Sequence, residues 1–354
     1  MPYRVIQWST GNVGRYALRG IINHPELVLV GLWAHSKEKA GIDAGEIAGV
    51  APIGIKATND ADELLAMKAD AVSYNSTGDL RPVEAIEDIV RILDSGKNVL
   101  STSLVPLVYP PSAPKEMVDP IQEACIRNGV SAFTSGIDPG VANDLLPLVL
   151  TGLCERIDRV RVMEILDYAT YDQPEVLFGT MGFAHPLDHT PILLVPGVLS
   201  LAWGCVVHVI AAGLGVELEE VREVIVEKVE APETFKVPSG IVGKGTMAGL
   251  RFEVQGIVDG QPKIIVEHVT RLRPDIAPHW PAPPGKGGYR VKISGSPNIN
   301  VSLELEGDGG DENSGGLIVT AMRLLNSIPA VCEAPPGVLS ALDLPLVTGR
   351  GLMF

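Results

Sequence analysis

Residues 9–14 read Ser-Thr-Gly-Asn-Val-Gly, and their spacing suits them to holding phosphate. They follow a short apolar strand pattern at 3–8 and open a helix pattern that runs over 14–23. A dinucleotide fingerprint has the form G-x-G-x-x-G in that setting. Ser9 stands in the place of the first glycine, and Gly11 and Gly14 in the places of the second and third. Gly11 lets the backbone approach a pyrophosphate, and Gly14 lets the helix pack closely on the strand. The free N–H groups of the helix end, with Thr10, Asn12 and Val13 between the glycines, face the phosphate oxygens. An ordinary β-turn-α connection is the bland alternative. The position at the very start of a βαβ chain favours the dinucleotide.

An NAD site places Asp or Glu about 20 residues further on, against the ribose 2′-hydroxyl. Here that place reads Ala34, His35, Ser36, Lys37, with no acid before Glu38. An imidazole, a hydroxyl and an ammonium suit a 2′-phosphate, so the expected cofactor is NADPH. Ligands of open α/β sheets sit at the carboxyl ends of strands. Two such ends carry Asn75, Ser76 and Thr77, and Ser101 and Thr102, which suit a polar ribose and amide.

A second group of chemical interest runs from Ser135 to Asp144, S-G-I-D-P-G-V-A-N-D. Asp138 before Pro139 has the chemistry of a helix N-cap followed by the first helical position. The segment lies where the first domain gives way to the second, a favoured place for a ligand cleft. Ile137, Asp138 and Val141 are therefore expected in a substrate pocket. Tyr168, Tyr171, His185, His189 and His268 are candidate acids of the second domain, of which Tyr168, Tyr171 and His268 are taken as catalytic. No Ser/His/Asp arrangement can be defended from spacing, and no Cys/His spacing suggests a metal.

These residues need elements to hold them. In the first third, apolar runs at 3–8, 27–34, 71–75, 98–101 and 130–135 alternate with helical patterns at 14–23, 82–93 and 115–128. That alternation means βαβ units and a doubly wound parallel sheet of Rossmann type. From about Arg159 the pattern changes. Residues 159–166, 251–257 and 263–270 alternate like half-solvated antiparallel strands, with a hairpin signal at Asp259-Gly260 and one or two more strands in 291–305. The fold class is α/β, with an α+β second domain around an open, mainly antiparallel sheet. Residues 307–316 read as a flexible loop, and the helix after it as one that returns to the first domain. The expected division is a dinucleotide domain at 1–140, rejoined by 314–354, and a substrate and dimerisation domain at 141–313.

The chain has 354 residues, a net charge of −15 and 46% hydrophobic residues. So acidic a surface argues against nucleic acid and anionic membranes as partners. Residues 190–216 lack Asp, Glu, Lys and Arg, but Glu217, Glu219 and Glu220 flank them and no basic cluster sets an orientation. That run is read as a core or dimer-interface helix rather than a membrane span. Four scattered cysteines and a start without an export signal point to a reducing cytoplasm.

The segment Gly136 to Asp144 and the stretch that follows it to Tyr171 resemble the 2,4-diaminopentanoate dehydrogenase and native amine dehydrogenase group. That group belongs to the dihydrodipicolinate-reductase-like superfamily. GKNVLSTS at 96–103, AAGLGVELEEV at 211–221 and RLLNSIPAVCEAPPGVLSALDLP at 323–345 share the resemblance. It implies a Rossmann domain, an open-sheet second domain, a homodimer and hydride transfer with NAD(P)H between a ketone or imine of a small-molecule substrate and its reduced product. Two departures stand out. The His-His-x-x-Lys and PSGTA segments of dihydrodipicolinate reductases are absent. The acid that the amine dehydrogenases carry after the fifth strand is replaced by Leu104 or Val105, and an apolar side chain is no general base. The departure weighs against ammonia-dependent reductive amination and toward an apolar substrate of moderate size, with Leu104 in its pocket. Amine dehydrogenase proper and a non-catalytic NADP-binding sensor or scaffold stay open as alternatives.

Overall fold

A computed structural model describes residues 1–78 and 81–353. The chain forms two compact units, Met1–Ile137 with Leu317–Phe354, and Asp138–Gly316.

The first unit is built on β1 (Tyr3–Trp8), β2 (Leu27–Trp33), β3 (Ala57–Thr58), β4 (Ala71–Tyr74), β5 (Asn98–Ser101) and β6 (Ser131–Thr134), with a closing strand Gly337–Leu339. All pair in parallel, in the order closing strand–β6–β5–β4–β1–β2–β3. The strand order reverses between β1 and β4, the switch point at which such sheets bind ligands. Apolar residues on both faces of these strands require cover on both sides. Helix Asn12–Asn23 buries Tyr16, Ala17, Leu18 and Ile21, spaced to make one stripe. On that side Leu18 and Ile21 join Val5, Leu29 and Phe133 in one core. Helices Pro82–Asp94 and Lys115–Asn128 bring Ile89, Ile92, Ile121 and Ala124 to Ile6, Val72 and Val99 on the other. Helix Glu312–Glu333 returns to the first core as expected, through Leu324, Leu325, Ile328 and Val331. Among the described residues it is the helix long and apolar enough to cross a bilayer.

The second unit contains β7 (Arg156–Asp167), β8 (Glu220–Glu230), the hairpin of β9 (Phe235–Val237) and β10 (Gly240–Val242), then β11 (Met247–Val258), β12 (Gln261–Arg271), β13 (Gly288–Ser296) and β14 (Ile299–Glu304). Six of these form one sheet in the order β14-β13-β7-β12-β11-β8. The Asp259-Gly260 turn joins β11 to β12 with φ of 51° and 68°, the positive pair that a two-residue hairpin favours. Helix Val198–Leu214 packs on the sheet at Gly256, where an added Cβ would come within 2.6 Å of Val207.

Two expectations change here, and one strand was not anticipated. β7 is antiparallel to β13 but parallel to β12, because β12 reaches it by a hairpin from β11 rather than directly. β8 lies in EVREVIVEKVE, whose acids hide the strand pattern; it is the edge strand paired with β11. Residues 307–316 are not all loop, for the helix already begins at Glu312. There the Asp311 carboxylate accepts the Ser314 N–H at 2.7 Å, a cap that lets the helix start inside a glycine-rich stretch.

Candidate active site

In the first unit, Ser9 has a φ of 82°, the left-handed conformation a glycine would take more easily. The Gln7 side-chain amide, buried in β1, donates to the Ser9 carbonyl at 2.9 Å and holds it there. A Cβ on Gly14 would lie 2.5 Å from the same carbonyl, so the turn closes only over glycine. Gly11 precedes helix Asn12–Asn23, which has no side-chain cap and so keeps its first N–H groups for a ligand. A cavity of about 650 Å³ opens at this loop, lined by Thr10, Gly11, Asn12, Arg15, Lys39 and Glu46 among others. Glycine at the close approach, uncapped donors and two cations fit a dinucleotide phosphate.

The strand ends beside the loop are tied together. Asn75 Oδ1 accepts from Gln7 Nε2 at 2.9 Å and Ser73 Oγ at 3.0 Å, and its amide donates to Thr102 Oγ1 at 3.3 Å. Ser101 Oγ accepts the Ser103 N–H at 2.8 Å, and the Ser103 hydroxyl donates to the Ser76 carbonyl. Thr77 is exposed. After β2, Asn59 donates to the carbonyls of Ala34 (2.8 Å) and Ser36 (3.2 Å), the Ser36 hydroxyl donates to Glu38 (2.9 Å), and His35 and Lys37 are exposed. The basic residue that reaches the phosphate loop is Lys39, with Nζ 2.9 Å from Thr10 Oγ1. Leu104 is buried in the core with Tyr74 and Leu107, and Ile137 donates its N–H to Thr320 Oγ1 at 3.2 Å.

The second unit holds a different kind of site. Asp138, Glu164 and His268 bring their side chains together with 2%, 6% and 4% exposure. His268 on β12 lies across from Glu164 on β7 in the parallel pairing of those strands. Its Nδ1 is 3.4 Å from Glu164 Oε1 and its Nε2 is 3.5 Å from Asp138 Oδ2. The other acceptors are taken. Trp203 Nε1 donates to Asp138 Oδ1 at 2.8 Å, as does the Asn143 amide at 2.5 Å. Tyr168 and Tyr289 hydroxyls donate to Glu164 at 2.7 Å and 3.1 Å. Phe252 stacks on the imidazole at 4.8 Å and Trp203 leans on it at 4.3 Å. Asp138 Oδ2 and His268 Nε2 remain buried without a hydrogen-bond partner.

The charges follow from this packing. Burial, reinforced by Glu164, pushes the Asp138 pKa up to about 6, against the pull of His268. Burial also opposes ionisation of Glu164, but the field of His268 and three hydrogen bonds outweigh it and its pKa is lowered. For His268, burial favours the neutral ring, yet the two carboxylates prevail and raise its pKa. The Tyr168 and Tyr289 pKa values are raised by burial and by Glu164, which keeps both phenols protonated. The three central side chains each offer one atom within 4.8 Å of the other two, the spacing of a cation's ligands. Burial thus brings the Asp138 pKa toward neutrality beside an imidazole whose own pKa is raised.

Asp138 is thus no N-cap. Trp203 and Asn143 occupy one of its oxygens, and the next helix starts at Leu145 with Asp144 as its cap. The structure brings Tyr168 and His268 together through Glu164. Tyr171 stacks on Tyr168, at 5.3 Å, and His185 and His189 stack on each other at 4.5 Å. Val141 is half-buried beside this group in sequence. Sequence reading missed Glu164, Asn143, Trp203 and Tyr289. Glu164 left one signal, an acid inside VMEIL where every neighbour is apolar.

Residues 141–351 match the family of the 2,4-diaminopentanoate dehydrogenase C-terminal domain. Over 344 residues the chain is 43% identical to an amine dehydrogenase of Streptomyces virginiae, covering 96% of each. It is 28% identical to a 2,4-diaminopentanoate dehydrogenase of Acetoanaerobium sticklandii, over 74% of this chain and 70% of that one. Its fold is that of an amine dehydrogenase from Mycobacterium smegmatis, with a TM-score of 0.77 at 19% identity over 98% of this chain and 97% of the other.

Proposed function

This chain belongs to the 2,4-diaminopentanoate dehydrogenase family, a group of nicotinamide-dependent oxidoreductases, and we propose that it interconverts a ketone or imine and an amine with NADPH. The observation that carries the proton chemistry is the orphaned pair in the second unit, Asp138 Oδ2 and His268 Nε2, 3.5 Å apart and buried.

A bound nicotinamide supplies or accepts the hydride. Ser9, Gly11, Asn12 and Gly14 hold the phosphates, and Asn75, Ser76, Thr77, Ser101 and Thr102 serve the ribose and amide. The reductive direction joins one ketone, one ammonium ion and one hydride into one amine and one water; two of the ammonium's protons leave on the oxygen. Those transfers need a group that takes a proton and returns it. Leu104 and Val105 cannot do so. Asp138 and His268, 3.5 Å apart, are the groups that take and return the proton, and Glu164, fixed by Tyr168 and Tyr289, holds the imidazole in register. Tyr171 supports Tyr168 by stacking. The Streptomyces relative, similar along the whole chain, is named for the amine reaction, which favours amine over alcohol as product. Apolar Ile137 and Val141 favour a largely apolar substrate, whereas Leu104 is packed away with Tyr74 and Leu107. The same reading includes a homodimer and a cytoplasmic location, which four unpaired cysteines support.

The test is kinetic. Asp138→Asn and His268→Gln should lower kcat for ketone plus ammonia by about a hundredfold or more, with NADPH affinity unchanged. The wild-type profile should show a limb near the Asp138 pKa of about 6, with activity falling as pH drops and the carboxylate is protonated. Asp138→Asn should remove that limb. Wild-type kcat and an unaltered profile in both variants would assign the proton chemistry elsewhere.

A further inference from the structure

We infer that Lys39, assisted by Arg15, recognises the 2′-phosphate of the cofactor, a role that the order of residues after β2 would give to Ser36 and Lys37. The inference rests on the NADPH reading above. Lys39 and Arg15 line one cavity at the phosphate loop, and Glu46 is the acid among the residues lining it, so its wall keeps a net positive charge. Lys39 Nζ bonds two neutral oxygens, Thr10 Oγ1 at 2.9 Å and the Thr10 carbonyl at 3.3 Å. An ammonium has three donors, so one is left over. The Arg15 guanidinium lies over the Tyr16 ring at 4.8 Å and donates to its hydroxyl at 3.3 Å. Among the described residues neither cation makes an ion pair.

Arg91, Arg127, Arg156, Arg222 and Arg273, by contrast, sit on carboxylates. Two cations without a carboxylate partner, in one cavity and beside uncapped helix donors, make a place for an anion. The residues named by sequence order are otherwise engaged. Ser36 gives its hydroxyl proton to Glu38, and Lys37 is exposed and does not line the cavity. Lys39 is anchored on Thr10, within the loop itself. There its remaining donor would make a charge-assisted bond to a 2′-phosphate, and only a weaker neutral one to an unphosphorylated ribose hydroxyl.

Nicotinamide fluorescence titration of the whole protein with NADPH and with NADH tests this, alongside calorimetry with 2′,5′-ADP and 5′-AMP. Wild type should bind NADPH at least tenfold more tightly than NADH. Lys39→Ala should weaken NADPH and 2′,5′-ADP about tenfold or more and leave NADH and 5′-AMP unchanged, with Arg15→Ala showing a smaller loss of the same kind. Equal weakening of both cofactors would place Lys39 on the shared pyrophosphate and overturn the inference. So would a larger loss for Lys37→Ala than for Lys39→Ala. Equal wild-type affinity for the two cofactors would instead remove the NADPH reading, and the inference with it.

Discussion

At Ser9 the chain keeps a residue with a side chain where the fingerprint has glycine, and its φ of 82° shows that the turn is kept all the same. The cost of the left-handed conformation, about 1–2 kcal/mol for a residue bearing a Cβ, is offset locally by the Gln7 amide on the Ser9 carbonyl. Gly14 leaves no such latitude, because its missing Cβ is what lets that carbonyl turn inward. Gly14→Val should therefore push the loop out and lower affinity for both cofactors by more than tenfold, while far-UV circular dichroism stays native. Unchanged affinity in a folded variant would show that the loop does not bind the dinucleotide. The glycine positions were legible because the constraint they answer is local. The partners of Asp138 were not: Trp203 and His268 lie 65 and 130 positions away, and no spacing rule connects them to it.

At the scale of elements, helix Val198–Leu214 shows how an apolar run is resolved by its neighbours. Its sequence alone suits a membrane, a dimer face or a core. In the fold it buries Val206, Val207, Val209 and Ile210 and carries Trp203 to Asp138. The fit depends on Gly256 in β11, where a side chain would strike Val207 and Leu218. Gly256→Val should cost about 1–3 kcal/mol by overpacking and lower the melting temperature by about 2–10 °C. Because Trp203 rides on that helix, kcat should fall as well, with cofactor affinity preserved. A variant that melts and turns over like wild type would mean the helix packs elsewhere. β8 was the element least visible in the sequence. An edge strand needs no apolar face on its outer side, and its charges both protect the edge and conceal it.

For the molecule as a whole, a net charge of −15 opposes the approach of an anionic cofactor, while on the proposed reading Lys39 and Arg15 hold it once bound. The two effects have opposite salt dependence. Raising ionic strength from about 10 to 150 mM, across which the Debye length shrinks from roughly 30 to 8 Å, should increase the NADPH association rate. Over the same range the ratio of NADH to NADPH dissociation constants should shrink. Stopped-flow fluorescence reads the first and equilibrium titration the second. An association rate that falls with salt would show that the local cations, not the total charge, govern encounter.

The sequence by itself determined the parallel Rossmann sheet, the glycine turn after its first strand, the Asp259-Gly260 hairpin and the return of the C-terminal helix, and it carried the family. Each is encoded by neighbours within a few residues, through strand and helix periodicity, turn chemistry or a contiguous motif. Only the tertiary structure decided which residues share a charge. The register of β7 against β12 sets His268 across from Glu164, and the helix above supplies Trp203 to Asp138. The fold of the loop after β2 turns Lys39, not Lys37, onto Thr10. Proton affinity and phosphate recognition depend on distances of 3–4 Å and on the exclusion of water, and both are properties of packing between distant segments rather than of any one of them.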